Sequence, residues 1–170
     1  MIILKVGGSL YDLPDLGLRL RAFLRSLSPD PVRIIPGGGD LADVIRTLDR
    51  IHGLGEAVAH ELAMDTLRIA EAFLRRLLGP AMPPSALDGL DLGSWPQSWD
   101  LTSDSLAARA AWQHRARRLI LLKSVDIPPH TSWQEAADRG WVDRFFPRAV
   151  AGAPFRIEAV NFRRWNAEEP

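Results

Sequence analysis

Two glycine-rich segments, each directly after a short apolar run, are the clearest candidates for chemistry in this chain. Gly7 and Gly8 follow the run Ile2–Val6, and the second segment, which follows Val32–Ile35, consists of Gly37, Gly38 and Gly39. Where such a turn leads from a strand into a helix, backbone NH groups can approach an anion without interference from Cβ, and the helix dipole adds partial positive charge. Both segments therefore predict phosphate binding, although glycines also serve tight turns.

Lys5 stands at the end of the first apolar run, just before its glycines. It is one of only two lysines among 21 basic residues, the other being Lys123. Retention of lysine in an arginine-rich chain favours a position that needs a compact ammonium on a flexible stem. From the predicted strand end, this ammonium can reach a phosphoryl group over the glycine turn and neutralise developing charge. The structural alternative is a partly buried lysine that extends to water.

The elements that must position these residues follow from hydrophobic periodicity. An apolar strand, a glycine-rich turn and an amphipathic helix occur twice in the first fifty residues, which predicts a parallel sheet with both turns along its carboxyl edge. Further helices are predicted over Asp40–Ile51 and Glu56–Leu78, from Thr102 and from Ser132, with strands at Leu119–Lys123 and Phe155–Phe162. Residues 79–98, rich in Pro, Gly, Ser and Asp, are the best candidate for a mobile loop.

Composition limits the possible function classes. The 170 residues predict a single domain, and 46% apolar with 25% charged residues is typical of a globular chain. The net charge of zero gives no overall field toward nucleic acid or anionic lipid, so neither is expected as a partner. The chain has no cysteine, which excludes disulfides and thiolate chemistry. Its N-terminus lacks the features of a secretory signal, and we expect a cytoplasmic protein without a membrane span.

Four motifs in a fixed order carry a resemblance to a known family. They are Lys5-Val6-Gly7-Gly8-Ser9, Pro36-Gly37-Gly38-Gly39, Thr102-Ser103-Asp104-Ser105 and Leu121-Leu122-Lys123-Ser124-Val125-Asp126. Together they resemble the amino acid kinase family, which includes aspartate, acetylglutamate, uridylate and isopentenyl phosphate kinases. The resemblance implies a three-layer αβα sandwich around an open, mainly parallel sheet. It also implies a kinase that uses ATP, with Mg²⁺ carried by the nucleotide and not by a dedicated metal site.

The resemblance implies roles for single residues. Lys5 would contact the transferred phosphoryl group, and Asp104 would orient this lysine near the metal-nucleotide; otherwise Asp104 is a helix-start carboxylate stabilised by the dipole. Lys123 could supply a second cation at the end of its strand. The remaining expected contacts fall into two groups. With the ATP phosphates we expect Gly7, Gly8, Ser9, Lys123 and Asp126, and with the acceptor we expect Gly37, Gly38, Gly39, His60 and Ser103.

Within the family, the segment His60-Glu61-Leu62-Ala63-Met64-Asp65 and Trp99 look most like the small kinases of methanofuran biosynthesis. Those enzymes phosphorylate an aminomethylfuran methyl phosphate, so this narrower resemblance implies ATP-dependent transfer to an existing phosphate, giving a diphosphate, in cofactor synthesis for one-carbon metabolism. The residues themselves leave a carboxylate acceptor open. Relatives are commonly homodimers, and an apolar helix face in residues 41–78 could form the interface.

The resemblance weakens after Asp126. Most relatives have a glycine there and then a larger subdomain that holds adenine and supplies another lysine; here Ile127 and two prolines follow, and no lysine lies downstream. We therefore expect one domain, 1–170, with an acceptor and phosphate-loop half in 1–100 and a reduced nucleotide half in 101–170. The alternative function is a descendant that binds a phosphorylated ligand or a protein partner without transferring phosphate.

Overall fold

The computed structural model describes residues 1–166, and it contains one parallel sheet between two layers of helices. The strands are β1 (Ile2–Val6), β2 (Val32–Pro36), β3 (Arg118–Lys123) and β4 (Arg156–Asn161). Their order in the sheet is β2-β1-β3-β4, and each neighbouring pair is parallel. Lys5 pairs in register with Ile35 on one side and with Leu121 on the other. The predicted αβα sandwich with a mainly parallel sheet is confirmed.

Six α-helices connect and cover the strands. They are α1 (Leu16–Ser26), α2 (Gly39–His52), α3 (Glu56–Leu78), α4 (Ser103–Gln113), α5 (Trp133–Asp138) and α6 (Phe146–Ala149). The first five lie where the sequence predicts helices, with ends that differ by one or two residues. The four-residue α6 was not predicted, because it is too short to show a hydrophobic period. No helix in the described part of the chain is long and apolar enough to cross a membrane.

The two faces of the sheet bury different side chains because successive residues of a strand point to opposite sides. On one face, Ile2, Leu4 and Val6 pack with apolar residues of α1 and the end of α3. On the other face, Ile3 packs with Leu121 and with the alanines of α4. Lys5 and Lys123 continue the second alternation, on neighbouring strands. Both lysines therefore point to the side of the sheet that α4 covers.

The segment 79–98 is irregular, but part of it is fixed to the sheet. Residues 84–86 run beside β2, where Ile34 donates its NH to the Pro84 carbonyl and accepts from the NH of Ala86. Ser85 is buried, and its hydroxyl donates to Glu71 on α3 at 2.6 Å. This stretch thus pairs with the otherwise open edge of β2, and edge pairing of this kind protects a sheet from aggregation.

Candidate active site

The two glycine segments lie against each other at the carboxyl edge of the sheet. β1 and β2 are adjacent and parallel, so the turns that follow them leave the sheet side by side. A Cβ added to Gly8 would overlap the backbone nitrogen and Cα of Gly39, and a Cβ on Gly37 would lie 2.5 Å from the nitrogen of Gly8. Gly39 has a positive φ of 55°, which side chains rarely adopt. The close approach of two backbones explains why these positions are glycine.

This packing makes Gly8→Ala a test of the loop geometry. The new methyl group would force the two turns apart, and we expect the free energy of unfolding to fall by about 3 kcal/mol, at the upper end of overpacking effects. Gly140→Ala is the control, because Gly140 has a φ of 71° but open space around it. Its cost should stay at about 1–2 kcal/mol. Urea unfolding measures both; equal losses would contradict the tight contact between the turns.

A buried charge triad lies beside these turns. Lys5 Nζ is 2.8 Å from Asp104 Oδ1, and Lys123 Nζ is 2.9 Å from Asp104 Oδ2. Lys5 and Asp104 are each only 4% exposed. Two ammonium groups therefore share one carboxylate, and the triad carries a net charge of +1. A buried cationic excess at a glycine-lined edge is suited to an anionic ligand.

Burial sets the ionisation of the triad. It lowers the pKa of Lys5 to about 8; the Lys123 charge acts in the same direction, while Asp104 opposes both. For Asp104, burial alone would raise the pKa, but the two ammonium groups hold the pKa of this carboxyl well below its usual range. Asp104 is thus ionised at neutral pH, and Lys5 is charged but close to its titration point.

Asp143 holds the helix that carries Asp104. Its carboxylate accepts hydrogen bonds from the NH groups of Thr102 and Ser105, at 3.0 and 2.9 Å, and from both hydroxyl groups. Asp143 therefore caps the first turn of α4 from a distant part of the chain. Burial and the nearby Asp104 raise the pKa of Asp143, against the effect of these hydrogen bonds. Asp143 was not predicted from the sequence, because a capping carboxylate about forty positions from the helix start leaves no local pattern.

A cavity of about 200 Å³ opens beside Lys5 and Asp104. Its apolar wall includes Met64, Leu67 and Leu101, and its polar residues include Arg46 and Asp43. The predicted acceptor residues all line it: Gly37, Gly38, Gly39, His60 and Ser103. Burial lowers the pKa of His60 from its ordinary value, which favours the neutral imidazole. Gly8 and Ser9 also line this cavity, so both turns face the same space.

The residues predicted to bind the nucleotide do not all line one cavity, in contrast to those predicted to bind the acceptor. Lys123 lines a second, more open cavity of about 850 Å³, which shares Asp104 and Thr102 with the first. The hydroxyl group of Ser9 donates to that of Ser124 at 2.8 Å. Asp126 lines neither cavity; it accepts from Asn161 at 3.0 Å and pairs with Arg164 at 2.8 Å. Gly7 lines neither cavity either, and its NH donates to the Leu122 carbonyl at 2.9 Å.

Comparisons with known proteins agree with this arrangement. The chain is 29% identical to the [5-(aminomethyl)furan-3-yl]methyl phosphate kinase of Methanocaldococcus jannaschii, in a 147-residue alignment that covers 74% of this chain and 67% of that protein. No protein-family model matches the chain. Uridylate kinase from Archaeoglobus fulgidus has a similar structure, with a TM-score of 0.67 at 18% identity, covering 94% of this chain and 89% of that one.

A second solved structure, UMP kinase from Ureaplasma parvum, aligns with a TM-score of 0.63 at 14% identity and covers 96% of this chain and 90% of that one. At these sequence identities the structural likeness shows the fold alone. The four motifs that suggested the family lie together at one edge of that fold. The chain is thus similar in sequence to a phosphate kinase and in fold to uridylate and UMP kinases.

Proposed function

We propose that this protein is an ATP-dependent kinase that transfers the γ-phosphoryl group to a small acceptor carrying a phosphate group. The observation that carries the proposal is the Lys5–Asp104–Lys123 triad, which adjoins both glycine turns and joins the two cavities. Phosphoryl transfer depends mainly on positioning and on charge stabilisation, which are what two ammonium groups and a row of backbone NH groups supply. The sequence similarity to a phosphate kinase supports the same activity.

In the proposed reaction, an oxygen of the acceptor phosphate attacks the γ-phosphorus. A new P–O bond forms, the bond between the γ-phosphorus and the bridging oxygen breaks, and ADP leaves with the electron pair. Lys5 contacts the transferred group, and Gly8 with Ser9 contacts its oxygens, while Gly38 and Gly39 hold the acceptor phosphate. Gly37 shapes the turn, because its NH donates to the Val6 carbonyl at 2.8 Å. A carboxylate acceptor would follow the same path and yield an acyl phosphate.

We place the donor nucleotide on the side of the second cavity. Lys123 there takes the place of a lysine that the family supplies from further along the chain, and its 2.9 Å contact with Asp104 supports this role. Residues 101–170 would form the reduced nucleotide half, and residues 1–100 most of the acceptor half. Asp126 lines neither cavity and its carboxylate is held by Asn161 and Arg164, so it has no contact with the nucleotide phosphates in this proposal.

The residues around the triad fit a magnesium ion that arrives with ATP. No group of three potential metal-ligating side chains occurs within residues 1–166. Mg²⁺ usually keeps several waters and takes phosphate oxygens as ligands. When bound, it would neutralise charge on the donor phosphates. The Asp104 carboxylate is already paired with Lys5 and Lys123, so its proposed role is to orient these two ammonium groups.

The size of the first cavity favours a compact acceptor. Drug-sized ligands occupy cavities of roughly 300–1,000 Å³, and the space beside Lys5 is about 200 Å³. A single ring with a methyl phosphate suits this volume better than a nucleoside monophosphate does. We therefore propose an aminomethylfuran methyl phosphate, or a close analogue, as the acceptor, in the cytoplasmic synthesis of a one-carbon cofactor.

Product analysis tests the proposed activity. The purified chain is incubated with ATP and Mg²⁺ and with either [5-(aminomethyl)furan-3-yl]methyl phosphate or UMP, and ADP and the acceptor product are quantified. We expect the furan compound to become a diphosphate, and UMP to react at least about a hundredfold more slowly. Tight binding of the furan compound without ADP formation would instead support the alternative of a binding protein that does not transfer phosphate.

The ionisation of Lys5 predicts a pH dependence. Since the pKa of Lys5 is lowered to about 8, the charged form that attracts phosphate is lost as the pH rises through this value. We expect kcat/KM for ATP, which reports free-enzyme ionisations, to fall about tenfold per pH unit above that point. In Lys123→Met, the falling limb should move to higher pH, because a neighbouring cation that lowers the Lys5 pKa is gone. An unmoved limb would refute the assignment.

We also propose a homodimer formed through α2. None of the residues of this helix is fully buried; Gly39, Ala42, Ile45 and Asp49 are half-buried, and the others are exposed. Its apolar side chains recur at three- and four-residue spacing on one exposed face, and they are Leu41, Val44, Leu48 and Ile51. A helix with an apolar stripe normally packs against a partner, and a second copy would cover this one without closing the cavity on its other side.

Light scattering tests this interface. We expect the wild type to have twice the chain mass of 18.9 kDa and Leu48→Glu to be monomeric, because a carboxylate would be placed in an apolar contact. Leu18→Glu is the matched control, since Leu18 is an exposed leucine on α1. A monomeric wild type, or dissociation by both variants, would contradict an interface centred on α2.

A further inference from the structure

The face of α2 opposite its apolar stripe lies toward the first cavity and is polar. Asp43, Arg46 and Asp49 are spaced three residues apart, so they follow one side of the helix. Asp43 and Arg46 line the first cavity together with Trp99 from the loop before α4. The proposed reaction at the triad uses none of these residues, although Asp43 lines the first cavity and Arg46 and Trp99 line both cavities.

These side chains form a connected set. Arg46 Nη1 donates to Asp43 Oδ1 at 2.7 Å, and the guanidinium lies 4.9 Å from the centre of the Trp99 ring. The indole Nε1 of Trp99 donates to Asp49 Oδ2 at 2.8 Å. Asp49 also accepts from the NH of Gly55, which ties the end of α2 to the start of α3. The indole ring is thus fixed, and Arg46 has two partners at once.

The helix geometry sets how far this set lies from the phosphate position. If the acceptor phosphate binds at Gly39, the first residue of α2, a rise of 1.5 Å per residue places Asp43 about 6 Å and Arg46 about 10.5 Å further along the axis. In an aminomethylfuran methyl phosphate, one five-membered ring and two methylene groups separate the phosphate from the amino group. Such an acceptor, lying along α2, brings its amino group to the Asp43–Arg46 pair.

Only two carboxylates line the first cavity in the part of the chain that the structure describes, Asp43 and Asp104. Asp104 is fully engaged by two lysines. We infer that Asp43 binds a cationic amino group at the end of the acceptor opposite its phosphate, and that Arg46 occupies this carboxylate until the acceptor arrives. The inference rests on the proposed kinase function and adds the residue that selects, among compact ring phosphates, those with an ammonium at the opposite end.

The exchange of partners at Asp43 needs little rearrangement. The Asp43–Arg46 pair joins positions i and i+3 of one helix, and its side chains are 66% and 45% exposed, so it is a weak surface pair. When the ammonium of the acceptor takes the carboxylate, Arg46 keeps its contact with the electron-rich face of Trp99. The cationic partner of Asp43 therefore changes, while the half-exposed guanidinium of Arg46 stays on the Trp99 ring and in contact with solvent.

The test uses two acceptors that differ only in the tail: [5-(aminomethyl)furan-3-yl]methyl phosphate and the analogue with a hydroxyl group in place of the amino group. Steady-state kinetics and calorimetric binding are measured for the wild type, D43N, R46Q and D65N. D65N is the matched control, because Asp65 forms the same type of i, i+3 pair with Arg68 on α3 and lies outside the cavity lining.

We expect D43N to raise the KM and the dissociation constant of the amine by roughly 10- to 100-fold, the size of a lost hydrogen bond to a charged group, and to change the values for the hydroxyl analogue less than about threefold. R46Q should lower the KM of the amine, since the competing cation is gone. D65N should leave both acceptors unaffected.

Two results would overturn the inference. One is an equal effect of D43N on both acceptors; the other is a loss of amine binding in R46Q that matches the loss in D43N, which would indicate an anionic tail. Failure of the kinase proposal looks different: no ADP forms with either acceptor. In that case calorimetry still measures whether the wild type binds the amine more tightly than the hydroxyl analogue. If neither compound binds, the role of Asp43 is also contradicted.

Discussion

Lys5→Met is expected to reduce kcat by at least about a thousandfold while the protein stays folded. The magnitude follows from reactions in which one positioned cation or donor stabilises the transition state, where its removal costs roughly 10²–10⁵ in rate. Methionine has a similar length and fills the buried space of Lys5 without its charge. Asp104 keeps Lys123 as a partner at 2.9 Å, so no buried carboxylate is left unpaired.

Two comparisons separate this loss from a general disturbance of the site. Lys5→Arg retains the charge, but a planar guanidinium cannot replace a compact ammonium that is 4% exposed; we expect little recovery of turnover. Thermal unfolding of Lys5→Met should stay within a few degrees of the wild type. Turnover near the wild-type level in Lys5→Met would remove Lys5 from the proposed mechanism, even if ATP binding persisted.

Asp104→Asn should have the second largest effect, and it should act through Lys5. The Asp104 carboxylate raises the pKa of Lys5 against the opposing effects of burial and of Lys123. Without it, the pKa of Lys5 falls below about 8 and a large share of the lysine becomes neutral at physiological pH. We expect kcat/KM at pH 8 to fall by roughly 10²–10³, the typical loss for a missing electrostatic contact in a transition state.

The pH profile distinguishes this mechanism from a loss of structure. As the pH falls from 8 to 6, Lys5 of the Asp104→Asn variant regains its proton. The kcat/KM of the variant should therefore rise over a pH range in which the kcat/KM of the wild type changes little. A variant that is merely misfolded would not recover. A flat profile in the variant would contradict the coupling between the two residues.

The free energy of unfolding of Asp104→Asn gives a second, independent test of the role of Asp104. Removing one partner of a buried ion pair leaves uncompensated charge, which typically costs 3–5 kcal/mol. Here the cost should be smaller, about 2–3 kcal/mol, because a lysine can lose its proton instead of remaining charged. Urea unfolding at pH 7 and pH 9 measures this difference. The deficit relative to the wild type should narrow at pH 9, where Lys5 is largely neutral in both proteins.

Patterns among neighbouring residues were sufficient to predict the strands, the helices and the glycine turns. The runs Ile2–Val6 and Val32–Pro36 are strands because apolar side chains continue up to a glycine turn, and α3 follows a clear helical period. The parallel sheet followed from the repeated strand, turn and helix. The side-by-side glycine turns followed in the same way, because the carboxyl ends of parallel strands share one edge of the sheet.

Lys123 shows where sequence reasoning reached its limit. Its position at a strand end suggested a cation near phosphate, but its pairing with Asp104 depends on β1 and β3 being neighbours. One signal was available: Lys5 and Lys123 each continue an alternation of buried residues, so both point to the same face once the strands are paired. The strand order itself could not be read from the local pattern, and so the contact was not predicted.

The sequence by itself determined which segments become strands and helices, where glycine is required, and which lysine and aspartate accompany the turns. Periodicity and turn chemistry act between near neighbours, and such preferences are written in consecutive residues. Only the tertiary structure decided that Asp143 caps α4, that Lys123 shares Asp104 with Lys5, and that Asp43 and Arg46 line the cavity together with Trp99. The contacts around Asp104 and Asp143 join residues 19 to 99 positions apart, and packing of the whole chain, not local preference, brings them together.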